Sequence, residues 1–230
     1  MPEHTIGTQE EFDAAREQLL AEEKELTHRS DELAQKRREL PWVPVEKDYE
    51  FETGAGTRSL AELFDGRSQL LVYHFMFAPE WDEGCRSCTS IAHHMDLPRV
   101  YLENHDVTWT AVSRAPLEKL LAYRERMEWT LPWASSHGSD FNFDFHVSST
   151  AERPLREYNF REGAPHEGEL PGMSAFILRD GKVFHTYSAY SRGIDALWGM
   201  YAWLDRAPLG RNESEGYWLK RPDEFAAAVS

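Results

Sequence analysis

The chain has 230 residues, which is enough for one large domain or two small ones. Hydrophobic residues account for 41% of the chain and aromatic residues for 13%, so a substantial core can form. A formal net charge of -15 argues against nucleic acid or an anionic membrane as the main partner, because like charges repel.

No apolar run follows Met1, and no stretch approaches the ~18 consecutive apolar residues that a membrane-spanning helix requires. We therefore expect a cytoplasmic protein with no nucleic-acid partner and no membrane partner. In a reducing cytosol, two cysteines three residues apart are more often catalytic or metal-binding than part of a structural disulfide.

Residues 8–40 are predicted to form one long helix. Thr8 followed by Glu11 is a capping box, and Pro41 ends the pattern. One apolar row recurs at intervals of seven, but the second row that a coiled coil needs is mostly charged. The helix is therefore expected to be an arm that packs by one row, either on its own domain or across the partner subunit of a homodimer. The row consists of Phe12, Leu19, Leu26, Leu33 and Leu40.

Apolar patterns set the remaining elements. Strands are expected at 43–53 (a strand or hairpin arm), 69–77, 106–113, 131–135, 173–178 and 183–190, with a tight turn at 179–182. Helices are expected from 85 to about 96, at 100–104, from 115 to about 127 and at 193–204, with a short helical turn at 59–64.

The order of these elements predicts the fold class. Right-handed crossovers make the first strands parallel and place the later hairpin antiparallel at one edge of the sheet. The result is an α/β fold, a three-layer α/β/α sandwich with a mixed central sheet. The expected organisation is an N-terminal arm at 1–40, a domain at 41–210 with an excursion at about 148–170, and a polar tail at 211–230.

Cys85 and Cys88 are the only cysteines of the sequence, and they open a predicted helix directly after the buried strand at 69–77 and a loop. The first of two such thiols meets backbone N–H groups and the positive end of the helix dipole, which favour the thiolate. The second is shielded in the first turn and can resolve a mixed disulfide. We predict Cys85 as the attacking and Cys88 as the resolving catalytic thiol. The alternative is that both are buried and act as small hydrophobic residues.

Other side chains near this motif suggest further roles. Trp81 precedes the pair and is expected to cover it. Arg114 ends a core strand, where it would contact an anionic substrate or hold a carboxylate such as Asp140. Two thiolates and the imidazole of His94 would suit copper or zinc, so Cys85, Cys88 and His94 form an alternative metal site. No phosphate-binding glycine loop is present, and no cofactor is predicted.

Segments spread over nearly the whole chain carry a family resemblance. They are Arg38-Glu-Leu-Pro-Trp-Val43, Lys47-Asp-Tyr49, Leu63-Phe-Asp-Gly-Arg67, Tyr73-His-Phe-Met-Phe77, Trp81-Asp-Glu-Gly-Cys85 with Ser87-Cys88, Ala111-Val-Ser-Arg-Ala-Pro116, Ser139-Asp-Phe-Asn142, His185-Thr-Tyr187 and Pro208-Leu-Gly-Arg211. Together they resemble the thioredoxin-like superfamily and, more narrowly, the bacterial DUF899 family of predicted dithiol-disulfide oxidoreductases. The resemblance implies a thioredoxin-like fold, a redox-active cysteine pair, a thiol or disulfide substrate and an electron donor.

The sequence departs from the thioredoxin pattern at two places. Thioredoxins carry a cis-proline directly before the strand equivalent to 174–178, and it docks the substrate backbone beside the thiol. Met173 stands at that place here, and we expect it to contact substrate. Asp82 and Glu83 lie just before Cys85 and are expected to raise the pKa of its thiol.

Two other functions are compatible with the same motif. A thiol peroxidase is a related enzyme, although Cys85 occupies the threonine position of the T-x-x-C pattern of those enzymes. A non-catalytic binding protein of the same fold would hold a small apolar ligand in an aromatic pocket. The aromatic residues for that pocket are Trp129, Trp133, Phe141, Phe143 and Phe145, and packing in the core explains them as well or better.

Overall fold

The computed structural model describes residues 5–163, 167–213 and 220–226, so residues 214–219 and 227–230 of the predicted polar tail lie outside the described residues. The chain divides into two units, Met1–Pro41 and Trp42–Ser230. Within the described ranges, no helix is both long enough and apolar enough to cross a membrane.

The first unit is α1 (Gln9–Arg38), an uninterrupted helix of 30 residues. The N–H of Thr8 donates to Oε2 of Glu11 at 2.7 Å, and the hydroxyl of Thr8 accepts from the N–H of Glu11 at 3.3 Å. This reciprocal pair is the predicted capping box. The last turn carries three basic residues, whose charges suit the negative end of the helix dipole. No residue of α1 is buried.

The second unit contains the strands and the shorter helices. Its strands are β1 (Val43–Pro44), β2 (Glu50–Thr53), β3 (Gly56–Ser59), β4 (Gln69–His74), β5 (Val107–Ser113), β6 (Trp133–Ser135), β7 (Ser148–Ser149), β8 (Glu157–Tyr158), β9 (Arg161–Glu162), β10 (Gly168–Glu169), β11 (Gly172–Arg179) and β12 (Lys182–Tyr190). Its helices are α2 (Arg86–Asp96), α3 (Arg99–Glu103), α4 (Leu117–Arg126), α5 (Phe141–Asp144), α6 (Gly199–Leu204) and α7 (Pro222–Ala226), with 3-10 helices at Glu62–Phe64 and Ser191–Leu197.

The main sheet has the strand order β1-β12-β11-β4-β5-β6-β2-β3. β4, β5 and β6 are parallel because helices connect them: α2 and α3 lead from β4 to β5, and α4 leads from β5 to β6. β11 pairs antiparallel with β4, and β12 returns antiparallel along β11. Parallel strands beside an antiparallel hairpin, with the cysteine helix after the central strand, make the fold thioredoxin-like. The predicted α/β fold with a mixed central sheet is confirmed.

The strands alternate their side chains between two cores, one on each face of the sheet. On one face, Tyr73 and Ala111 pack with residues of α2, α4 and α6. On the other face, Leu70 and Val72 pack with Phe141 of α5 and with the 3-10 helix that follows β3. Helices therefore cover both faces, and the two thiols belong to the face under α2.

The segment predicted as one strand at 43–53 is divided between two ends of the sheet. β1 pairs with β12 at one edge, whereas β2 pairs with β6 and β3 near the other edge. Beyond Pro44 one more hydrogen bond follows, from the N–H of Val45 to the carbonyl of Val183 at 2.9 Å, and the chain then leaves β12 for the other end of the sheet. As a consequence the hairpin of β11 and β12 lies inside the sheet. The sequence had predicted it at one edge, and that prediction is wrong.

The helix predicted at 193–204 is interrupted at Trp198. The backbone of Trp198 leaves the helical region (φ -94°, ψ 77°) between the 3-10 helix and α6. Its indole is buried and donates to the hydroxyl of Ser90 on α2 at 3.0 Å. Packing of this side chain therefore overrides the helical periodicity of the segment.

Candidate active site

Cys85 lies where β4 delivers the chain, through the loop at 78–84, to the start of α2. β4 is an apolar run because it meets a core on each face. The N–H of Cys85 donates to the carbonyl of Met76 at 3.0 Å. The carbonyl of Cys85 accepts from the N–H of Thr89 at 2.9 Å and from the hydroxyl of Thr89 at 2.8 Å. The backbone is therefore fixed on both sides of the thiol.

The half-buried thiol of Cys85 is surrounded by hydrogen-bond donors. The thiol of Cys88 donates to it, and the N–H of Cys88, the Ser87 hydroxyl and the Ser87 N–H add to this effect. These donors lower the pKa of Cys85 from 9.0 to about 6, although burial acts in the opposite direction. The Ser87 hydroxyl oxygen lies 3.1 Å from the sulfur. At pH 7, Cys85 is therefore mainly a thiolate.

Cys88 is a thiol of the opposite kind. It is 1% exposed, and burial raises its pKa well above the ordinary value, with its hydrogen bond to Cys85 and the charge there adding to the rise. The hydroxyl of Tyr73 on β4 interacts with Cys88 and opposes that rise. This hydroxyl is buried and has no hydrogen-bond partner other than Cys88 among the described residues. It is therefore available to donate to Cys88 when that thiol ionises.

The loop at 78–84 is tethered to the helix that faces it. Nζ of Lys119 on α4 donates to the carbonyls of Pro79 at 2.8 Å and Trp81 at 2.9 Å. Gly84 lies so close to the ring of Phe75 that a Cβ there would stand 2.7 Å from a ring carbon. Only glycine fits this approach without moving the loop and the thiol that follows it.

The expectation that Asp82 and Glu83 raise the pKa of Cys85 is wrong. The carboxylate of Glu83 forms ion pairs with Arg126 and, at 2.8 Å, with Arg221, which compensate its charge. The pKa of Cys85 is lowered by its own hydrogen-bond donors instead. The guanidinium groups that pair with Glu83 come from parts of the chain far from the cysteines in sequence.

Two of the predicted substrate-binding residues lie at the core that holds the thiols. Trp81 and Cys85 are both half-buried and pack against that core. Met173 of β11 lies opposite Tyr73 of β4 in the sheet and is 9% exposed. The fold therefore brings both residues to the cysteine side of the sheet, and their contact with a substrate stays a prediction.

Arg114 forms a buried ion pair, but its partner is not Asp140. Its Nη1 lies 2.9 Å from Oε1 of Glu169, whose side chain is 1% exposed. Asp140 pairs instead with Lys47 at 2.7 Å and with Arg153. The ion pair of Arg114 therefore anchors the 148–170 excursion to the end of β5, and a contact with substrate stays a prediction.

The alternative metal site is not assembled. His94 lies on α2 with its ring against Gly199 of α6. Across the ranges that the structure describes, no three His, Cys, Asp or Glu side chains are grouped so that they could hold a metal ion. Cys85, Cys88 and His94 do not converge.

The alternative of an aromatic pocket is not formed, and these residues pack in the cores instead. Trp129 and Trp133 belong to the core with the thiols, whereas Phe141 and Phe145 belong to the core on the opposite face. The sheet separates the two pairs, so they cannot line one pocket. Their aromatic character serves two hydrophobic cores.

Several residues of the site were not found by sequence reasoning. Tyr73 could have been found from the sequence, because Tyr73, Phe75 and Phe77 alternate along the predicted strand, and alternation places their side chains on one face of the sheet. Arg221 could not have been found in this way. It is 4% exposed, donates Nη2 to the carbonyl of Gly84 at 2.9 Å and donates Nε to the hydroxyl of Tyr123 at 2.8 Å.

Comparisons with known proteins agree with the sequence motifs at the level of family. The model of a family described as "Bacterial protein of unknown function (DUF899)" matches residues 1–225. Comparison with curated protein sequences finds no match.

Among solved structures, the chain is similar to peroxidoxin BcpB of Mycobacterium tuberculosis, with 16% identity and a TM-score of 0.46 over 70% of this chain and 93% of that one. It is similar to a cysteine-to-serine variant of peroxiredoxin Q of Xanthomonas campestris, with 11% identity and a TM-score of 0.46 over 66% and 90%. A cysteine-to-serine variant of PrxQ of Xylella fastidiosa has 11% identity and a TM-score of 0.43 over 67% and 88%. Likenesses this remote carry no argument about function.

Proposed function

This chain belongs to the DUF899 family of bacterial proteins of unknown function, and we propose that it is a dithiol-disulfide oxidoreductase. The observation that carries the proposal is the unequal pair of thiols at the start of α2. Cys85 is half-buried with a pKa lowered to about 6, and Cys88 is buried with a raised pKa. Thiol-disulfide exchange requires a thiolate that the substrate can reach and, next to it, a second thiol that is shielded from the substrate.

In the proposed reaction, the Cys85 thiolate attacks one sulfur of a substrate disulfide R–S–S–R′. The Cys85–S–S–R bond forms while the substrate S–S bond breaks, and R′S⁻ leaves and takes a proton from water. Cys88 then loses its proton, attacks the sulfur of Cys85 and closes the Cys85–Cys88 disulfide, with release of RS⁻. Two electrons pass from the cysteine pair to the substrate. A thiol reductant returns the pair to the dithiol, and the reverse sequence oxidises a dithiol substrate.

The order of the two thiols follows from their surroundings. An incoming disulfide reaches Cys85, since Cys88 is 1% exposed. The raised pKa of Cys88 keeps it protonated until the charge on Cys85 has been consumed in the mixed disulfide, after which the Tyr73 hydroxyl favours its ionisation. We propose that the substrate docks over Trp81 and Met173, which border the same core.

Trapping of the mixed disulfide tests the proposal. Cys88→Ser keeps a hydroxyl donor beside Cys85 but cannot resolve, so with oxidised glutathione we expect it to accumulate a Cys85–glutathione disulfide, detected by mass spectrometry of peptides. The unchanged protein should pass on to an intramolecular disulfide. Cys85→Ser is the matched control and should form neither adduct. The proposal fails if Cys85 reacts no faster than a cysteine in a free peptide, or if the adduct forms on Cys88.

A further inference from the structure

Residues 220–226, here named the C-terminal segment, lie against the loop that carries Cys85. Glu224 pairs with Arg86 at 2.9 Å, and Asp223 pairs with Arg126 at 2.8 Å. Both partners belong to the helices at the site, α2 and α4. The contacts span 97 residues or more of sequence, so the segment is held to the site by the fold and not by its neighbours in the chain.

Arg221 is the buried residue of this segment. Its side chain is 5% exposed, and its Nη1 lies 2.8 Å from Glu83 and 3.2 Å from Glu224. A guanidinium removed from water is costly unless its charge and its N–H groups are satisfied. Here both carboxylates satisfy the charge, Nη2 donates to the carbonyl of Gly84, and Nε donates to the hydroxyl of Tyr123.

Two paths lead from Arg221 to the carbonyls that flank the Cys85 backbone. On the first, Nη2 donates directly to the carbonyl of Gly84 at 2.9 Å. On the second, Nε donates to the hydroxyl of Tyr123 at 2.8 Å, which lies 2.8 Å from the hydroxyl of Thr89. That hydroxyl in turn donates to the carbonyl of Cys85 at 2.8 Å. One side chain therefore restrains the peptide groups before and after Cys85.

We propose that Arg221 is a positioning residue for Cys85: it holds these two carbonyls so that the sulfur stays over the donors at the start of α2. The inference rests on the proposed function, because it assigns the origin of the reactivity that this function uses. Arg221 does not touch the sulfur. Its effect is geometric, since the donors that lower the pKa of Cys85 come from Ser87 and Cys88, and they act only if Cys85 is held at the N-cap position.

The test is the pH dependence of Cys85 alkylation by iodoacetamide, followed at that residue by mass spectrometry in the reduced full-length chain. Arg221→Met removes both paths, and we expect its alkylation at pH 6.5 to fall by about ten-fold as the midpoint moves to higher pH. Arg221→Lys keeps the charge but cannot supply the same fork of N–H groups, so we expect an intermediate midpoint. Asp223→Asn removes another ion pair of the same segment and should keep the original midpoint.

The outcomes separate a positioning role from the alternatives. If a folded Arg221→Met protein has the same alkylation midpoint as the unchanged protein, the inference is overturned. Full restoration by Arg221→Lys also overturns it, because charge alone would then suffice. If Arg221→Met does not fold, Tyr123→Phe cuts only the second path with little loss of packing, and an unchanged midpoint in that variant overturns the inference. If Cys85 of the unchanged protein is alkylated no faster than a cysteine in a free peptide, the proposed function is refuted instead.

Discussion

Hydrogen-bond donors from two residues converge on one sulfur atom at Cys85, and they decide its chemistry. The Cys88 thiol contributes most, followed by the Cys88 N–H and the two Ser87 donors. At pH 7, a pKa of about 6 instead of 9.0 stabilises the dithiol relative to the disulfide by about 1.4 kcal/mol, or ~30 mV for two electrons. The shift therefore makes the pair a stronger oxidant than one built on an unperturbed thiol.

We expect the alkylation rate of Cys85 to reach half its plateau near pH 6, because the thiolate is the nucleophile. Rates measured from pH 4 to pH 10 with peptide mapping check this. Cys88→Ala removes the first of the donors and should move the midpoint toward 9, whereas Cys88→Ser retains a donor and should move it less. A midpoint above pH 8 in the unchanged protein would contradict the assignment.

The same group links stability to pH. The folded pKa of Cys85 lies below its unfolded value, so its contribution to the free energy of unfolding is fully present above about pH 9 and is lost as the pH falls through about 6. The raised pKa of Cys88 gives a contribution to the free energy of unfolding with the opposite pH dependence, because burial keeps this thiol protonated in the folded state. That contribution is lost as the pH rises.

Among the secondary-structure elements, α1 has an apolar row that is exposed. Phe12 is 61% exposed, Leu19 50%, Leu26 71% and Leu33 39%. The helix is also polarised: residues 9–23 contain six acidic and one basic side chain, and residues 24–38 contain three acidic and five basic. In an antiparallel pair, the acidic half of each helix lies beside the basic half of the other, so the charges attract. In a parallel pair, halves of the same charge lie side by side and repel.

We propose that α1 pairs antiparallel with α1 of a second copy of this chain. Sedimentation equilibrium should give a dimer that Leu26→Asp dissociates, because this change puts a charge in the centre of the apolar row. Ala21→Asp, a similar change on the opposite side of the helix, should leave the dimer intact.

The orientation is tested separately by cross-linking. In a background with Cys85→Ser and Cys88→Ser, proteins carrying Leu19→Cys and Leu33→Cys should form a mixed disulfide with each other when combined. A monomer at micromolar concentration, or preferential linkage of position 19 to itself, would refute the antiparallel pair.

At the scale of the whole molecule, one buried ion pair joins the polar excursion to the sheet. Arg114 directly follows β5, Glu169 lies in β10, and the hydroxyl of Ser148 donates to the second oxygen of Glu169 at 2.5 Å. Burial raises the pKa of Glu169, whereas the hydrogen bond from Ser148 and the charge of Arg114 lower it. These two partners therefore favour the charged form of the buried carboxylate.

Glu169→Leu leaves Arg114 buried without its counter-ion, so we expect the free energy of unfolding to fall by about 3–5 kcal/mol in urea titrations. Combining it with Arg114→Met should recover most of that loss, since two apolar residues replace the pair. Asp205→Asn, which breaks the exposed pair with Arg211, is the control and should cost less than about 1 kcal/mol. A loss for Glu169→Leu as small as that of the control would show that the pair does not hold the excursion.

Features that depend on neighbours in the chain could be predicted from the amino-acid sequence. The alternation of strand residues, the helical periodicity and the capping box are local, so α1, β4, β5 and the cysteine position at the start of α2 followed from them. The parallel strands and the antiparallel hairpin also followed, because handed crossovers leave few alternatives, but the place of the hairpin inside the sheet did not. The break at Trp198 and the divided 43–53 segment did not, since packing decides both.

The pKa values of the two thiols depend on contacts between distant parts of the folded chain. Asp82 and Glu83 precede Cys85 in sequence, and adjacency suggested that they would raise its pKa. Guanidinium groups from distant parts of the chain pair with Glu83 and compensate its charge, and Arg221 donates to the carbonyl of Gly84 across 137 residues. Such contacts depend on where the folded chain places each side chain, and no local pattern of residues encodes that position.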